Sequence, residues 1–205
     1  MILLPLQSKT GRGVDLVIAE KLIHFGARPP VVHAVCSIGK KTAIRLYKTI
    51  HLKSPKQGML PYDQYWVVRS SVNTIHASIF LGLVRDFLQH QQSSTITAEI
   101  LITAYELYCR VVASNPSPSK LEASAPQSLL LNINRAWQLT RQLSSDGYGL
   151  VVCNTCLARH VVIKQMPKPF QQCPICDVWA DKTGRRRWMT AKPKHPVKFS
   201  CKGTV

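Results

Sequence analysis

Apolar residues recur along most of this chain at the three-and-four spacing that gathers them on one face of a helix. Val14, Val17, Ile18, Leu22 and Phe25 make the first such face, and Gly26 stands where a helix ends in a left-handed residue. Arg28-Pro29-Pro30 then breaks the chain. A short helix from about 30 to 36, a turn at Ser37-Ile38-Gly39 and a longer helix to about Ile50 are predicted next. That longer helix is two-faced. Ala43, Leu46, Tyr47 and Ile50 fall on one side, and Lys41, Arg45 and Lys48 on the other, with Lys40 flanking and Ile44 an outlier near the basic stripe. Helix, tight glycine-bearing turn, helix with a basic outer face makes residues 30–50 helix-turn-helix-like.

Gly58-Met59-Leu60-Pro61-Tyr62 is a loop. Three more helices follow. Val72 to about Gln89 carries Ile75, Ile79, Phe80, Leu83, Val84, Phe87 and Leu88 on a broad face, with His76 beside it as a hydrogen-bonded core residue. Ala98 to about Val112 turns Ile100, Leu101, Ala104, Tyr105, Tyr108 and Val111 inward. Ser128 to Leu143 aligns Leu130, Ile133, Trp137 and Thr140, after a Pro/Ser/Ala-rich linker over 113–127.

Beyond Gly147 and Gly149 the pattern changes. Leu150-Val151-Val152 and His160-Val161-Val162-Ile163 read as strands flanking Cys153 and Cys156, so a hairpin carries the first thiol pair at its turn. Cys173 and Cys176 repeat the C-x2-C spacing sixteen residues later. Two such knuckles place four thiolates around one tetrahedral ion, a closed structural zinc site with one Zn2+ per chain. A thioredoxin-like reading of Cys173 and Cys176 requires a helix beginning at the first thiol and a βαβ setting, neither of which is visible. A zinc deaminase requires an acid two residues after a ligand histidine, and His160 is followed by Val161-Val162. The expected fold is therefore mainly α. A helical domain over 14–146 holds the helix-turn-helix-like segment 30–50 and partner-binding helices within 72–143. It is preceded by an extension over 1–13 and followed by a small four-cysteine zinc ribbon over 147–182 and a basic tail over 183–205.

Charge adds a partner to this picture. The formal net charge of the 205 residues is +17, and it is uneven: +8 over 1–60, zero over 61–150 and +9 over 151–205. Two basic ends around a neutral middle suit two surfaces meeting a polyanion, joined by a module that meets protein. No apolar run is long enough to span a bilayer, and Met1–Leu6 lacks the basic start of a signal peptide, so double-stranded DNA is favoured over membrane. Lys40, Lys41, Arg45 and Lys48 are the candidate DNA contacts on the helix, and Arg185, Arg186 and Arg187 those on the tail. Lys40 and Lys41 stand at a helix start, where the macrodipole disfavours cations, which suits a phosphate-binding role. Of the seven cysteines, four go to metal, Cys109 packs in the core, and Cys36 and Cys201 have no readable role. The odd count fits a reducing, cytoplasmic compartment. An RNA-binding zinc-ribbon protein is the alternative, but only Tyr47, Trp179 and Trp188 stand near enough to the charges to stack bases. The two acids after residue 150, Asp177 and Asp181, make no catalytic site.

Several local motifs carry a resemblance. Gly26-Ala27-Arg28, Arg45-Leu46-Tyr47-Lys48, Gly58-Met59-Leu60-Pro61, His76-Ala77-Ser78-Ile79-Phe80, Ala104-Tyr105-Glu106-Leu107-Tyr108, Arg135-Ala136-Trp137 and the four cysteines occur in order from Leu16 to Cys176. Together they resemble the flagellar transcriptional activator family FlhC. The resemblance implies a helical protein with zinc held by Cys153, Cys156, Cys173 and Cys176 and no catalytic activity. It also implies assembly with an FlhD subunit into a heterohexamer of four FlhD and two FlhC. Such a complex activates flagellar operons with the RNA polymerase holoenzyme. Residues 1–13 and the linker near 115–127 have no counterpart in that pattern.

Overall fold

The computed structural model describes residues 12–114, 131–165 and 173–178. The order of elements is α1 (Arg12–His24), α2 (Pro29–Val35), α3 (Lys40–His51), a 3-10 turn (Gln64–Arg69), α4 (Ser71–His90), α5 (Ala98–Ser114), α6 (Ile133–Ser144), β1 (Tyr148–Val152), β2 (Arg159–Ile163) and α7 (Pro174–Val178). The fold is mainly α, as the periodicity predicts. Among the described residues the strands form one antiparallel hairpin, with Leu150 opposite Val161. No helix among them is long and apolar enough to cross a membrane.

The core gathers around α4, which packs on α5, α6 and the hairpin. Phe80, Tyr105 and Tyr108 are fully buried there, with edge-on ring contacts from Phe80 to both tyrosines at 6.4 and 6.2 Å. Such pairs add about 0.5–1.5 kcal/mol each beyond the area they bury. His76 is hydrogen-bonded as expected, its Nδ1 lying 2.7 Å from the Tyr108 hydroxyl, but it sits half-buried at the edge of the core. Short polar side chains start α4 and α6. Ser70 accepts from the Asn73 amide at the head of α4, and Asn132 from the Arg135 amide at the head of α6. The last helix before the hairpin therefore begins at Ile133. The sequence expectation begins it at Ser128, because apolar spacing runs on past the cap; Ser128 and Leu130 themselves lie outside the described residues.

The first helix also differs from its pattern. Its buried face runs through Ala19, Leu22 and Ile23, while Val14 and Val17 are 46% and 54% exposed. Only the later turns of α1 reach the core, so spacing alone puts two surface residues on the inner face. Gly26, at φ +84°, closes the helix as expected. Its amide reaches the Ile23 carbonyl and the Ala27 amide the Leu22 carbonyl, satisfying two end groups. The expected extension 1–13, linker and basic tail fall wholly or largely outside the described residues.

Candidate metal centre and nucleic-acid interface

The hairpin and α7 bring four thiols together. Cys153 follows β1, and its carbonyl accepts from the Leu157 amide, curling the chain back so that Cys156 faces the same point. Leu157 adopts φ +60°, a left-handed backbone that the tight knuckle imposes. Cys173 immediately precedes α7, and Cys176 lies one turn along it. The Sγ atoms of Cys153 and Cys176 are 3.7 Å apart, those of Cys156 and Cys173 are 3.5 Å apart, and all four lie within 4.8 Å of one another. A tetrahedron with metal–sulfur bonds of about 2.3 Å has sulfur–sulfur edges of about 3.8 Å, so the cluster fits an ion at its centre.

The thiols are not equivalent. Amides of Cys156 and Thr155 aimed at the Cys153 sulfur hold that thiol down to about 6, whereas burial pushes Cys176 up to about 12. A cation is what would let all four ionise together. His160 is buried beside the Ala158 carbonyl and takes no part in the cluster. One expectation needs correction: a helix does begin immediately after Cys173, as α7. It is a single short turn, though, and the only sheet among the described residues is the antiparallel hairpin, so the βαβ setting of a thioredoxin-like site is still missing.

Polar contacts with α4 dock this region on the helical core. The Val161 amide donates to Ser78 Oγ at 3.0 Å, inside the buried interface. Arg159 grips Asp86 through both guanidinium ends at 2.8 and 2.7 Å, and Ser71 donates to the Asp177 carboxylate. Tyr148, Val161 and Ile163 join the common hydrophobic core.

The helix-turn-helix-like segment appears as α2, a turn at 36–39, and α3. Ala43 and Tyr47 are buried and Leu46 and Ile50 half-buried, while Lys40, Lys41, Arg45 and Lys48 are exposed. The ion pairs among the described residues join Arg69 to Asp63, Arg159 to Asp86 and Lys164 to Asp146, so no acid among them engages the four cations of α3. Arg185, Arg186, Arg187 and Cys201 lie outside the described residues. Burial of Tyr47 removes one of the three aromatics that base stacking on RNA would use. Cys36 is a core thiol, pushed up to about 12 chiefly by burial, and half-buried Cys109 packs against the same core.

Sequence reading misses the residues that shape this surface. The Arg28 guanidinium donates to the carbonyls of Met59, Lys56 and Gly58 at 2.9, 2.8 and 2.6 Å, tying the 56–59 loop to the start of α2. Asn134 joins the same corner to α6, accepting from the Arg28 amide and donating to the Gly26 carbonyl. Arg135 stacks over Trp66 at 4.9 Å and donates to the Asp63 carbonyl. Gly26-Ala27-Arg28, Gly58-Met59-Leu60-Pro61 and Arg135-Ala136-Trp137 thus meet in space as scaffold. Their co-occurrence is the available signal, but partners 28 to 108 residues apart leave no periodicity to read.

Comparison with known proteins gives the chain a family. The profile of the family described as "Flagellar transcriptional activator (FlhC)" matches residues 8–189. Curated relatives named flagellar transcriptional regulator FlhC include one from Pectobacterium carotovorum, 31% identical over 165 residues that cover 79% of this chain and 78% of the relative. Another, from Gallionella capsiferriformans, is 29% identical over 166 residues, covering 81% and 85%. A third, from Nitrosomonas eutropha, is 26% identical over 195 residues, covering 94% and 95%.

Proposed function

The chain belongs to the flagellar transcriptional activator family FlhC, and from that premise we propose that it is a zinc-bearing, DNA-binding subunit acting with an FlhD-type partner at flagellar promoters. The observation that carries the DNA reading is the set of four exposed cations on α3, which no acid among the described residues engages. A cation without an internal partner keeps its full attraction for phosphate, and each phosphate contact releases condensed counterions. Lys40, Lys41, Arg45 and Lys48 contact the duplex, and Arg185, Arg186 and Arg187 add sequence-independent phosphate contacts.

Zinc is the proposed ion because a compact set of four thiolates suits its borderline-soft, tetrahedral chemistry. One ion per chain, bound by Cys153, Cys156, Cys173 and Cys176, leaves no open position, so the metal is structural and the subunit has no catalytic role. The protein works in the cytoplasm, where thiols stay reduced. It assembles as four FlhD and two FlhC and recruits the RNA polymerase holoenzyme. Helices within 72–143 hold the partner. Much of their apolar surface is already covered within the chain, as Phe80, Leu81 and Tyr105 show, while Val72 and Leu107 stay 50% and 36% exposed.

Co-expression with an FlhD-type subunit followed by gel-shift titration on a flagellar promoter tests the reading. Lys41→Glu combined with Arg45→Glu is expected to abolish the shift while leaving the complex assembled. Wild-type affinity in that variant would refute α3 as the DNA surface.

A further inference from the structure

Lys40, Ile44 and Lys48 fall four residues apart on α3 and form one ridge. That ridge is a wall of a cleft of about 680 Å³, bounded also by the start of α2 and the 54–57 loop. Arg28, His33 and Lys56 line it too, so five basic side chains, and no acid among the described residues, face the space. Its size lies within the roughly 300–1,000 Å³ of sites that take small organic ligands or parts of larger ones.

The cleft has a built wall and an apolar patch. Arg28 ties down the loop through three carbonyls, and its Nε is buried with no partner. The His33 Nδ1 donates to the Ile38 carbonyl, which fixes that ring against the turn. Ile44, 41% exposed between two lysines, and the exposed Pro30 at the start of α2 offer an apolar surface beside the charge. A ligand that carries a C–H face beside its negative group would engage the isoleucine and the lysines together.

We propose that this cleft binds a sugar–phosphate unit, with the phosphate held by Lys40, Lys48 and Lys56 and the sugar packed on Ile44 and Pro30. The unit has two sources: the backbone of the DNA duplex, or a free nucleotide that competes with DNA for Lys40 and Lys48. The first source rests on α3 being a DNA surface, and the second does not.

Lys56→Gln and Ile44→Ala in the full chain test the inference, because both side chains are exposed and the Lys56 carbonyl that Arg28 holds is retained. Unchanged melting temperatures establish that both variants fold. Each is titrated with a flagellar-promoter duplex and, separately, with ATP. Lys56→Gln is expected to weaken binding about tenfold, as removal of one hydrogen bond to a charged group does. It should also flatten the salt dependence of duplex binding by about 0.9 in log–log slope. Ile44→Ala is expected to weaken binding about threefold with the slope unchanged. Weakening confined to the duplex makes the backbone the source, and weaker ATP binding makes it the free nucleotide; either result supports the site. Parental binding of both probes by both variants overturns it. Lys41→Glu with Arg45→Glu separates the two readings, since neither side chain lines the cleft. If that pair abolishes duplex binding while the cleft variants bind like the parent, the cleft falls and the DNA surface stands. If the cleft variants fail to bind ATP while the pair binds the duplex normally, the cleft stands and the DNA reading falls.

Discussion

Helix α3 and the β1–β2 hairpin both carry basic residues, yet their cations are in opposite circumstances. On the hairpin, Arg159 is held by Asp86, and Lys164 just beyond β2 is held by Asp146. On α3, no acid among the described residues engages Lys40, Lys41, Arg45 or Lys48. Net charge counts these residues alike. What separates them is whether the fold places a carboxylate within reach, and that decides which surface is free to attract a polyanion. Arg159 helps attach the metal region to α4, while the cations of α3 remain directed at solvent.

The largest effect expected from breaking this contrast comes on the hairpin side, through the metal. Cys173→Ala, or chelation of the wild-type chain, should remove the ion and unfold the β1–β2 hairpin and α7. Binding free energies of about 10–16 kcal/mol at comparable four-ligand sites supply the folding energy of such small units. Zinc analysis with amide hydrogen exchange reads both consequences. One zinc per chain in the parent and loss of protection across β1 and β2 in the variant are the expected results; full metal content in Cys173→Ala would break the four-thiolate assignment.

Charge reversal on α3 comes next. Lys41→Glu with Arg45→Glu should weaken promoter binding by about a hundredfold or more at moderate salt, since two attractions become repulsions. Stability should hold, because both side chains are exposed and an acid in the first turn suits the helix dipole. Fluorescence anisotropy beside thermal melting separates the two effects.

Ser78→Ala is a smaller perturbation of the hairpin's attachment. It leaves the buried Val161 amide without its acceptor, for a loss of about 1–3 kcal/mol in urea unfolding, with DNA affinity in the folded protein unchanged. Arg159→Ala should do least. Its ion pair is substantially exposed, so about 0–1 kcal/mol is expected, and promoter binding should stay at the parental level. Should Arg159→Ala reduce DNA affinity as much as the α3 variant, the distinction between engaged and free cations would collapse.

Legibility from sequence follows the same division. Cysteine spacing is local, and two repeats of C-x2-C leave little freedom, so the cluster and its hairpin are readable. The two faces of α3 are readable for the same reason: Ala43 and Tyr47 against Lys41 and Arg45 is a single-helix property. Contacts between distant segments are not. Asp86 is 73 residues from Arg159, and nothing in the periodicity of α4 marks it as a docking point. Ile44 looks like an outlier in sequence because the 54–57 loop that makes it part of a cleft wall is held in place by Arg28, through bonds with no local signature. Val14 and Val17 read as inward because a pattern shows which residues share a face, without showing how far along the helix its neighbours extend.

The most direct test of the α3 surface is the salt dependence of promoter binding by the partnered complex. Parent and a variant with Lys40, Lys41, Arg45 and Lys48 all changed to Gln are compared across a salt series. The magnitude of the log–log slope should fall by about 0.9 for each phosphate that is no longer neutralised, hence by between about 2 and about 4 in this variant. An unchanged slope would contradict the assignment of these cations to DNA.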